Sequence, residues 1–242
     1  MTKLLVTGGT GTLGRVVVQE LRHRHHEVIV LSRSVRSDVV IGNLLTGDGI
    51  SDALIGVDVI VHCATGRDDV RAARNLISAA RVAGNPHLVY ISIVGVDRIP
   101  FSYYRSKFAV ERLVENSGLP VTILRATQFH TLVAGIFEAQ RLLPMLVAPS
   151  FSIQPIDVSE VSDRLVELAT GAAAGRVTDI GGPQIRPAKE LGTAWLTARA
   201  STRRVWPVRL PGRTFAAFRA GHNLTPDNPI GQITFDQFLE TR

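Results

Sequence analysis

The stretch SYYRSKFAVE, residues 102–111, places two side chains with acid–base chemistry at a helical spacing. Tyr103 and Lys107 are four residues apart, so they share one face if this segment is a helix. A lysine ammonium beside a phenol favours the phenolate and lowers the tyrosine pKa from its ordinary value of about 10. Of the 27 basic residues in the chain, 24 are arginine, so a lysine is not the usual way in which this chain places a positive charge. The pair is therefore a candidate for proton transfer.

The same stretch also fits the first turns of an ordinary amphipathic helix. In that interpretation Lys107 pairs with Glu111 on a solvated face, and Tyr104 packs with Phe108 in the core. The spacing alone leaves both interpretations open.

The elements around this helix alternate between short β-branched runs and longer helical patterns. We predict strands at KLLVTG, EVIVLSR, VVIG, VDVIVHCA, HLVYIS and PVTILRA, and helices over 12–25, 50–55, 68–84 and 103–117. Alternation of this kind predicts right-handed βαβ crossovers and a parallel sheet covered on both faces. The expected fold class is α/β, a Rossmann-type doubly wound parallel sheet.

After residue 126 the alternation is less regular. We predict a helix over about 131–146, an extended segment FSIQPI, a helix beginning at Asp157 or Ser159, a strand RVTDIGG, and two or three further helices. The length favours one domain over 1–242, with a core over about 1–150 and a small C-terminal cap on the substrate side over about 151–242.

A glycine-rich loop, VTGGTGTLG, joins the first predicted strand to the first predicted helix. Gly8 allows a tight turn, Gly11 lets the backbone approach a pyrophosphate, and Gly14 permits close packing of helix and strand. Backbone amides and the positive end of the helix dipole then bind phosphates. The loop could also serve as a plain βα turn, but its position favours nucleotide binding.

Composition limits the classes of function. No segment approaches the roughly 20 apolar residues that span a bilayer, and the first residues show no signal-peptide pattern. The single cysteine, Cys63, fits a reducing compartment, so we expect a cytoplasmic protein that associates with no membrane. The cluster HRHH, residues 23–26, lacks the cysteines or carboxylates of a metal site, and we expect no metal.

The positive charge is concentrated near the C-terminus. Residues 183–242 hold nine Lys or Arg against four Asp or Glu, which gives +5 of the net charge of +6. The arginines are scattered among proline and apolar residues, so we expect no nucleic-acid binding. Two interpretations of the charge in residues 183–242 stay open. The basic residues form a solvated face, or they bind an anionic substrate or partner.

The segments TGGTGTLG, GVDVIVHCA, AARNLISAARVAG, HLVYIS and SYYRSKFAVERLVENSGLPVTILRATQFH occur in this order over most of residues 3–182. Together they resemble the atypical short-chain dehydrogenase/reductases, specifically the NmrA-like, NAD(P)H-binding branch. The resemblance implies that Tyr103 donates a proton, that Lys107 tunes its pKa and binds the nicotinamide ribose, and that Ser92 assists. Ile93 stands where relatives often carry a second serine.

The resemblance also implies a cofactor site. Ser32, Arg33 and Arg36 follow the second strand without an acid before Asp38, which favours NADP(H) over NAD(H). Asn43-Leu44 stands where the family usually has an Asp-Leu pair against the adenine. The full set of expected cofactor contacts is Gly8, Thr10, Gly11, Thr12, Leu13, Gly14, Ser32, Arg33, Arg36, Asn43, Leu44, Ala64, Thr65, Gly66, Lys107, Thr127, Gln128 and Phe129.

The expected activity is hydride transfer from NADP(H) to a small carbonyl, quinone-like or otherwise activated acceptor, by a monomer or homodimer. The alternative is a regulatory protein that senses NADP(H) and binds a protein partner without turnover. A nucleotide-sugar epimerase or dehydratase is a third class, disfavoured because the chain is short for a substrate domain of that kind. His130 is a further candidate acid or base, although a histidine at a helix start is more often structural.

Overall fold

The computed structural model of the protein describes residues 2–33 and 39–241. Its strands are β1 (Lys3–Thr7), β2 (Glu27–Ser32), β3 (Val40–Ile41), β4 (Val59–His62), β5 (His87–Ile93), β6 (Val121–Ala126), β7 (Leu146–Pro149), β8 (Ser152–Ile153), β9 (Gly175–Arg176), β10 (Arg186–Pro187) and β11 (Val205–Val208). Its helices are α1 (Thr12–His23), α2 (Ile50–Ala53), α3 (Asp69–Val82), α4 (Ser102–Glu115), α5 (His130–Glu138), α6 (Val158–Thr170), α7 (Ala188–Thr197), α8 (Arg213–Arg219) and α9 (Phe235–Glu240).

Seven strands form one sheet in the order β3-β2-β1-β4-β5-β6-β9. The ladders of β1 with β2 and β4, and of β4 with β5, are parallel. The order reverses between β1 and β4, and ligands of doubly wound sheets bind beside the carboxyl ends of the strands at such a point. The predicted α/β, Rossmann-type class is confirmed.

The chain divides into two compact units. The first contains Met1–Ser92, Ser106–Leu124 and Ser159–Val177. Its core packs strand residues such as Leu5, Ile60 and Leu88 against helix residues such as Leu76 and Val110. All four residues of β4 are buried, as expected for a strand that is covered on both faces.

The second unit contains Ile93–Arg105, Arg125–Val158 and Thr178–Arg242. It holds two small sheets, an antiparallel pair of β8 with β10 and a parallel pair of β7 with β11. Its core surrounds Trp195, which packs with Phe137, Leu146, Phe235 and Phe238. Helix α4 begins in the second unit and continues in the first. The prediction of a single domain with a C-terminal cap stays a prediction.

The predicted helix over 131–146 is wrong in its second half. Helix α5 ends at Glu138, and Leu146–Pro149 form β7 instead. Pro144 interrupts the helical pattern because proline lacks a backbone N–H and clashes with the preceding turn. Backbone pairing with β11, more than 50 residues later, then stabilises the extended conformation. Three helices follow residue 180, as predicted.

No helix within the described ranges has both the length and the apolar character needed to cross a bilayer.

Gly95, just after β5, is a position in the second unit where the backbone conformation and a close backbone contact can both be tested by substitution. Its φ is +76°, and an added Cβ would overlap the carbonyl oxygen of His222. We expect Gly95→Ala to lower the free energy of unfolding by about 3 kcal/mol or more, because a left-handed conformation and a backbone clash add.

Gly221→Ala is the matched control, since Gly221 has φ +77° in the same unit and its new Cβ would meet only the Leu224 side chain at 3.4 Å. We expect a loss of about 1 kcal/mol there. Urea unfolding followed by circular dichroism measures both variants, and equal losses would contradict the assigned clash.

Candidate functional site

The glycine loop lies tightly against the end of β4 in the first unit. Gly8 has φ +70°, and an added Cβ would lie 2.6 Å from the backbone nitrogen of Ala64. A Cβ on Gly14 would overlap the backbone of Gly8, so Gly14 packs against the loop itself. Gly9, which was not among the predicted contacts, lies so close to Val30 that an added Cβ would be 2.8 Å from that side chain. A side chain at Gly8 or Gly14 would therefore force the backbone to shift, and one at Gly9 would displace the Val30 side chain.

Helix α1 begins at Thr12 with no side chain capping it among the described residues and no acid in its first turn. Thr10, Gly11 and Thr12 are exposed, whereas Leu13 is buried. The first N–H groups of a helix have no intrahelical acceptor and carry the positive end of its dipole. The loop thus presents open donors that suit a phosphate group.

The segment after β4 is held by a carboxylate that sequence reasoning missed. Asp69, buried at the start of α3, accepts hydrogen bonds from the Thr65 hydroxyl at 2.9 Å and the Gly66 amide at 2.6 Å. The signal available in the sequence was the acidic pair at the start of α3, three residues after Thr65-Gly66. Asp69 fixes the predicted contact residues Ala64 to Gly66 beside the glycine loop.

A row of polar and aromatic side chains crosses the three central strands. The β-ladder pairs Thr7 with His62 and His62 with Tyr90. The Thr7 hydroxyl lies 2.6 Å from His62 Nδ1, and the rings of His62 and Tyr90 stack with centroids 5.5 Å apart. Burial, and secondarily the charge of Lys107, lowers the pKa of His62 to about 3. His62 is therefore a neutral ring in this row.

Lys107 lies at the end of this row. Its side chain on α4 is 4% exposed, and its Nζ lies 4.6 Å from the centroid of the Tyr90 ring. Burial lowers the pKa of Lys107 to about 8, while Asp69, Cys63 and Glu111 act in the opposite direction. Glu111 is also fully buried, so the two do not form a pair on a solvated face.

Two further polar groups of the first unit were singled out in the sequence, the Ser92 hydroxyl and the Cys63 thiol. Ser92, near the end of β5, is buried, and its Oγ has no hydrogen-bond partner among the described residues. A buried hydroxyl without a partner costs free energy unless a ligand or water satisfies it. Burial raises the pKa of the Cys63 thiol to about 12, against a smaller effect of Lys107, which agrees with a non-nucleophilic thiol.

The two tyrosines lie on the part of α4 that belongs to the second unit. Tyr103 is 40% exposed, whereas Tyr104 is buried and accepts a 3.2 Å hydrogen bond from Gln128 Nε2. Burial raises the pKa of Tyr104 to about 12, partly offset by that hydrogen bond. Tyr103 is therefore the more exposed of the two tyrosines, and Tyr104 is a core residue.

Aromatic rings surround Tyr104. Its ring centroid lies 5.9 Å from those of Phe101 and Phe218, and Phe218 stacks on Phe151 at 4.8 Å. We call these four residues the aromatic cluster. Gln128 Oε1, beside the cluster, is a buried acceptor without a partner in the described structure.

The other predicted residues after β6 have different surroundings. The Thr127 hydroxyl is buried and has no hydrogen-bond partner among the described residues. Phe129 precedes α5 and bridges to Ile156. His130 is fully buried, with Nε2 2.9 Å from the carbonyl oxygen of Ile233 and its ring stacked on Phe238. His130 is a structural residue.

The residues predicted to select the cofactor lie at the ends of β2 and β3. Ser32 ends β2, and Arg33 follows it as an exposed residue. Arg36 lies outside the described residues. Asn43 uses its Oδ1 to accept a hydrogen bond from the Leu45 amide, and the Leu44 carbonyl accepts one from Asn75. The Asn43-Leu44 turn is thus ordered by one hydrogen bond within it and one from Asn75 of α3.

A sequence profile of the NAD(P)H-binding family matches residues 8–161, more than half of the chain. The protein belongs to this NAD(P)H-binding family. The membership confirms the resemblance drawn from the glycine loop and the segments that follow it. The matched residues include Gly8 to Gly14 of the glycine loop, Asp69 with the segment that it holds, and Lys107.

Known proteins similar to this family member include the photosystem II assembly factor Ycf39 of Synechocystis sp. That protein is 29% identical over 191 residues, which cover 69% of this chain and 59% of the relative. The chain therefore spans about three fifths of the relative's length.

Solved structures share the fold of this family member over nearly its whole length. A nucleoside-diphosphate-sugar epimerase from Staphylococcus aureus superposes with a TM-score of 0.83 at 18% identity, covering 99% of this chain and 100% of that one. The NADPH-dependent quinone oxidoreductase QOR2 of Escherichia coli, solved with NADPH, gives 0.82 at 16% identity, covering 98% and 99%. At these identities the likeness concerns the fold alone.

The ionisation of Lys107 can be measured directly because the chain has only three lysines. With ¹³C-labelled lysine, we expect the Lys107 Cε signal to titrate with a midpoint of about 8, because burial disfavours its charged form. Lys107→Met identifies the signal by its loss.

Two variants of Tyr90 test the role of its ring. Tyr90→Leu should lower the midpoint further, because a desolvated cation over an aromatic face gains about 2 kcal/mol. Tyr90→Phe keeps the ring and should leave the midpoint nearly unchanged. A midpoint that is the same in Tyr90→Leu and the parent protein would show that the ring does not stabilise the ammonium.

Proposed function

We propose that the protein is an NADP(H)-dependent reductase of a small carbonyl or quinone-like acceptor. The observation that carries this proposal is the buried Lys107 ammonium, positioned over Tyr90 one helical turn after the accessible Tyr103. A buried cation is costly, and such perturbed groups are concentrated at functional sites.

The residues of the first unit fit a nicotinamide cofactor. The exposed loop Thr10 to Thr12 and the uncapped start of α1 would hold the pyrophosphate. Ala64 to Gly66 would lie along the cofactor, and Lys107 would bind the nicotinamide ribose. Ser92 Oγ, a buried hydroxyl without a partner in the described structure, is a further candidate to face the bound group.

The preference for NADP(H) is supported by Arg33 at the end of β2 and by the absence of an acid there. The E. coli quinone oxidoreductase and the family itself use nicotinamide cofactors, but neither fixes the choice between the two. In this proposal Ser32, Arg33 and Arg36 contact the 2′-phosphate, and Asn43-Leu44 flanks the adenine.

When bound, NADPH supplies the hydride. Side chains of the protein then supply the proton and stabilise the negative charge that its transfer leaves behind. Tyr103, the more exposed tyrosine, donates a proton to the acceptor oxygen, and Lys107 favours the resulting phenolate. Ser92 assists in this proposal as a hydrogen-bond donor.

The aromatic cluster of the second unit supports a planar acceptor. Phe101, Tyr104, Phe151 and Phe218 give stacked and edge-on ring surfaces, against which a flat conjugated ring can pack. Gln128, with Thr127 and Phe129 on the same segment, would orient it through a polar contact. The name of the E. coli relative, a quinone oxidoreductase, is consistent with such an acceptor.

A second candidate function is a non-catalytic NADP(H)-sensing protein that binds a protein partner. The Synechocystis relative, described as an assembly factor, favours this alternative. The epimerase structure is covered in full by this chain, so length does not argue against that third class. We propose the reductase because Lys107 and Tyr103 together supply the acid–base chemistry it needs. A cytoplasmic location, and a monomer or homodimer, stay parts of the proposal.

Turnover distinguishes the candidates. We expect the purified protein to oxidise NADPH in the presence of at least one member of a panel of quinones, ketones and aldehydes. Tyr103→Phe should lower kcat about 100-fold or more, as expected for loss of a general acid. Tyr104→Phe is the matched control and should retain most of the activity, because it keeps the ring of the aromatic cluster and removes a hydroxyl that has no part in the proposed proton transfer.

Tight NADPH binding without oxidation by any acceptor would overturn the reductase and support the sensing protein. Full activity of Tyr103→Phe would remove the proton-donor role and leave the reductase intact.

Arg33 tests cofactor choice separately. Arg33→Ala should weaken NADPH binding about tenfold, because a charge-assisted hydrogen bond to phosphate contributes about 1.5–3 kcal/mol. NADH lacks that phosphate, so its affinity should change little. Fluorescence titration with both cofactors measures the ratio, and an equal loss for both would contradict the 2′-phosphate contact.

A further inference from the structure

The second unit exposes a group of large apolar side chains on one small sheet and the loop that leads into it. We call Leu142, Leu143, Met145, Val147 and Trp206 the Trp206 surface. Leu142 is 87% exposed and Trp206 is 61% exposed. A group of exposed apolar side chains on neighbouring segments marks an interaction site more often than single exposed residues do.

Strand pairing places two members of this surface, Val147 and Trp206, side by side. In the parallel pair of β7 and β11, Val147 is the direct partner of Trp206. The neighbours Leu146 and Ala148 are fully buried in the core around Trp195. Because side chains alternate along a strand, Val147 and Trp206 face outward together.

The loop before β7 has a defined conformation. Gln140 Oε1 accepts from the Val147 amide at 2.9 Å, and the Arg203 guanidinium donates to the carbonyls of Gln140 and Leu143 at 2.8 and 3.1 Å. These bonds hold the loop against the start of β7 and the segment before β11. Leu142 and Leu143 are therefore presented by an ordered loop.

The surroundings of the Trp206 surface are cationic. Segments 139–149 and 199–213, which carry it, contain six arginines and no Asp or Glu. Arg199 and Arg203 lie over the Trp195 ring, and Arg199 pairs with Glu138 of α5. The remaining four are exposed, namely Arg141, Arg204, Arg209 and Arg213.

We propose that the Trp206 surface binds peripherally to a lipid bilayer that carries anionic headgroups. Exposed leucine, methionine and tryptophan insert at the boundary between headgroups and acyl chains, while arginines contact the phosphates above them. Tryptophan in particular favours this boundary. An anionic bilayer thus offers phosphates to the arginines and acyl chains to the apolar side chains.

Two other occupants fit the same surface less well. A two-fold dimer through this face would place each set of arginines opposite its own copy, and the carboxylate of Glu138, which already pairs with Arg199, would offset little of the repulsion. A nucleic acid would satisfy the arginines but leave Leu142, Leu143 and Met145 without an apolar partner. An anionic bilayer satisfies both.

A peripheral contact with a bilayer would contradict the expectation that the protein associates with no membrane. That expectation rested on the lack of a spanning segment, which a peripheral contact does not need. Such a contact also assigns the positive charge of the C-terminal quarter to an anionic partner, one of the two interpretations that the sequence left open.

The two tryptophans provide a direct measurement. Trp195 is 1% exposed and Trp206 lies on the proposed surface, so a change of fluorescence on vesicle addition reports Trp206. We expect a blue shift and sedimentation with vesicles of phosphatidylcholine and phosphatidylglycerol, weakened by salt, and neither effect with phosphatidylcholine alone. The blue shift should disappear in Trp206→Phe.

Matched variants distinguish binding through the Trp206 surface from an effect of net charge or of exposed apolar residues elsewhere on the protein. Arg204→Gln with Arg209→Gln should weaken vesicle binding at least tenfold, since each basic residue near an anionic surface contributes about fivefold. The control pair Arg22→Gln with Arg74→Gln makes the same charge change at exposed positions of the first unit and should leave binding nearly unchanged. Leu142→Ser should also weaken binding, whereas Val82→Ser, at a 91% exposed position of the first unit, should not.

Failure to bind anionic vesicles in preference to neutral ones would overturn the proposal. So would equal binding to heparin with no effect of Leu142→Ser, which would identify a polyanion site. Sedimentation equilibrium that shows a dimer dissociated by Leu142→Ser, without vesicle binding, would identify self-association.

Discussion

The site depends on keeping one ammonium group charged inside the protein. Lys107 is almost fully buried, and desolvation makes its charged form costly. The face of the Tyr90 ring replaces part of the lost hydration, and the carboxylates of Asp69 and Glu111 act in the same direction. Asp69 also holds Thr65 and Gly66, so one carboxylate both stabilises the cation and orders the neighbouring loop.

The same layer connects the lysine to the glycine loop. Thr7 is the last residue of β1, directly before Gly8, and its partner His62 stacks on Tyr90. Because His62 is neutral, the row places no second charge beside Lys107. Gly8 then turns so closely over the backbone of Ala64 that no side chain fits there. Packing thus defines the region around the end of β1 without any long side chain from the loop itself.

Much of this arrangement was accessible from the sequence. The alternation of strands and helices predicted the parallel sheet, and the spacing of Gly8, Gly11 and Gly14 predicted the loop, because both signals are local. The predicted helix over 131–146 failed because Pro144 and pairing with a strand far along the chain outweighed a local helical pattern. The structure places Tyr103 and Lys107 on one helix as expected, but it also buries Lys107 and Glu111, which a spacing argument could not decide.

The sequence by itself determined the fold class, the glycine loop and the candidate residues of α4, since these follow from periodicity and from residue types a few positions apart. Only the tertiary structure decided which side chains form the row that ends at Lys107. Strand register pairs Thr7 with His62, 55 residues later in the chain, and pairs His62 with Tyr90. The tertiary structure also decided that Val147 and Trp206 lie side by side on an exposed face. Register between strands that are distant in the chain is set by which side chains are buried against the rest of the core, and this follows from the packing of the whole sheet.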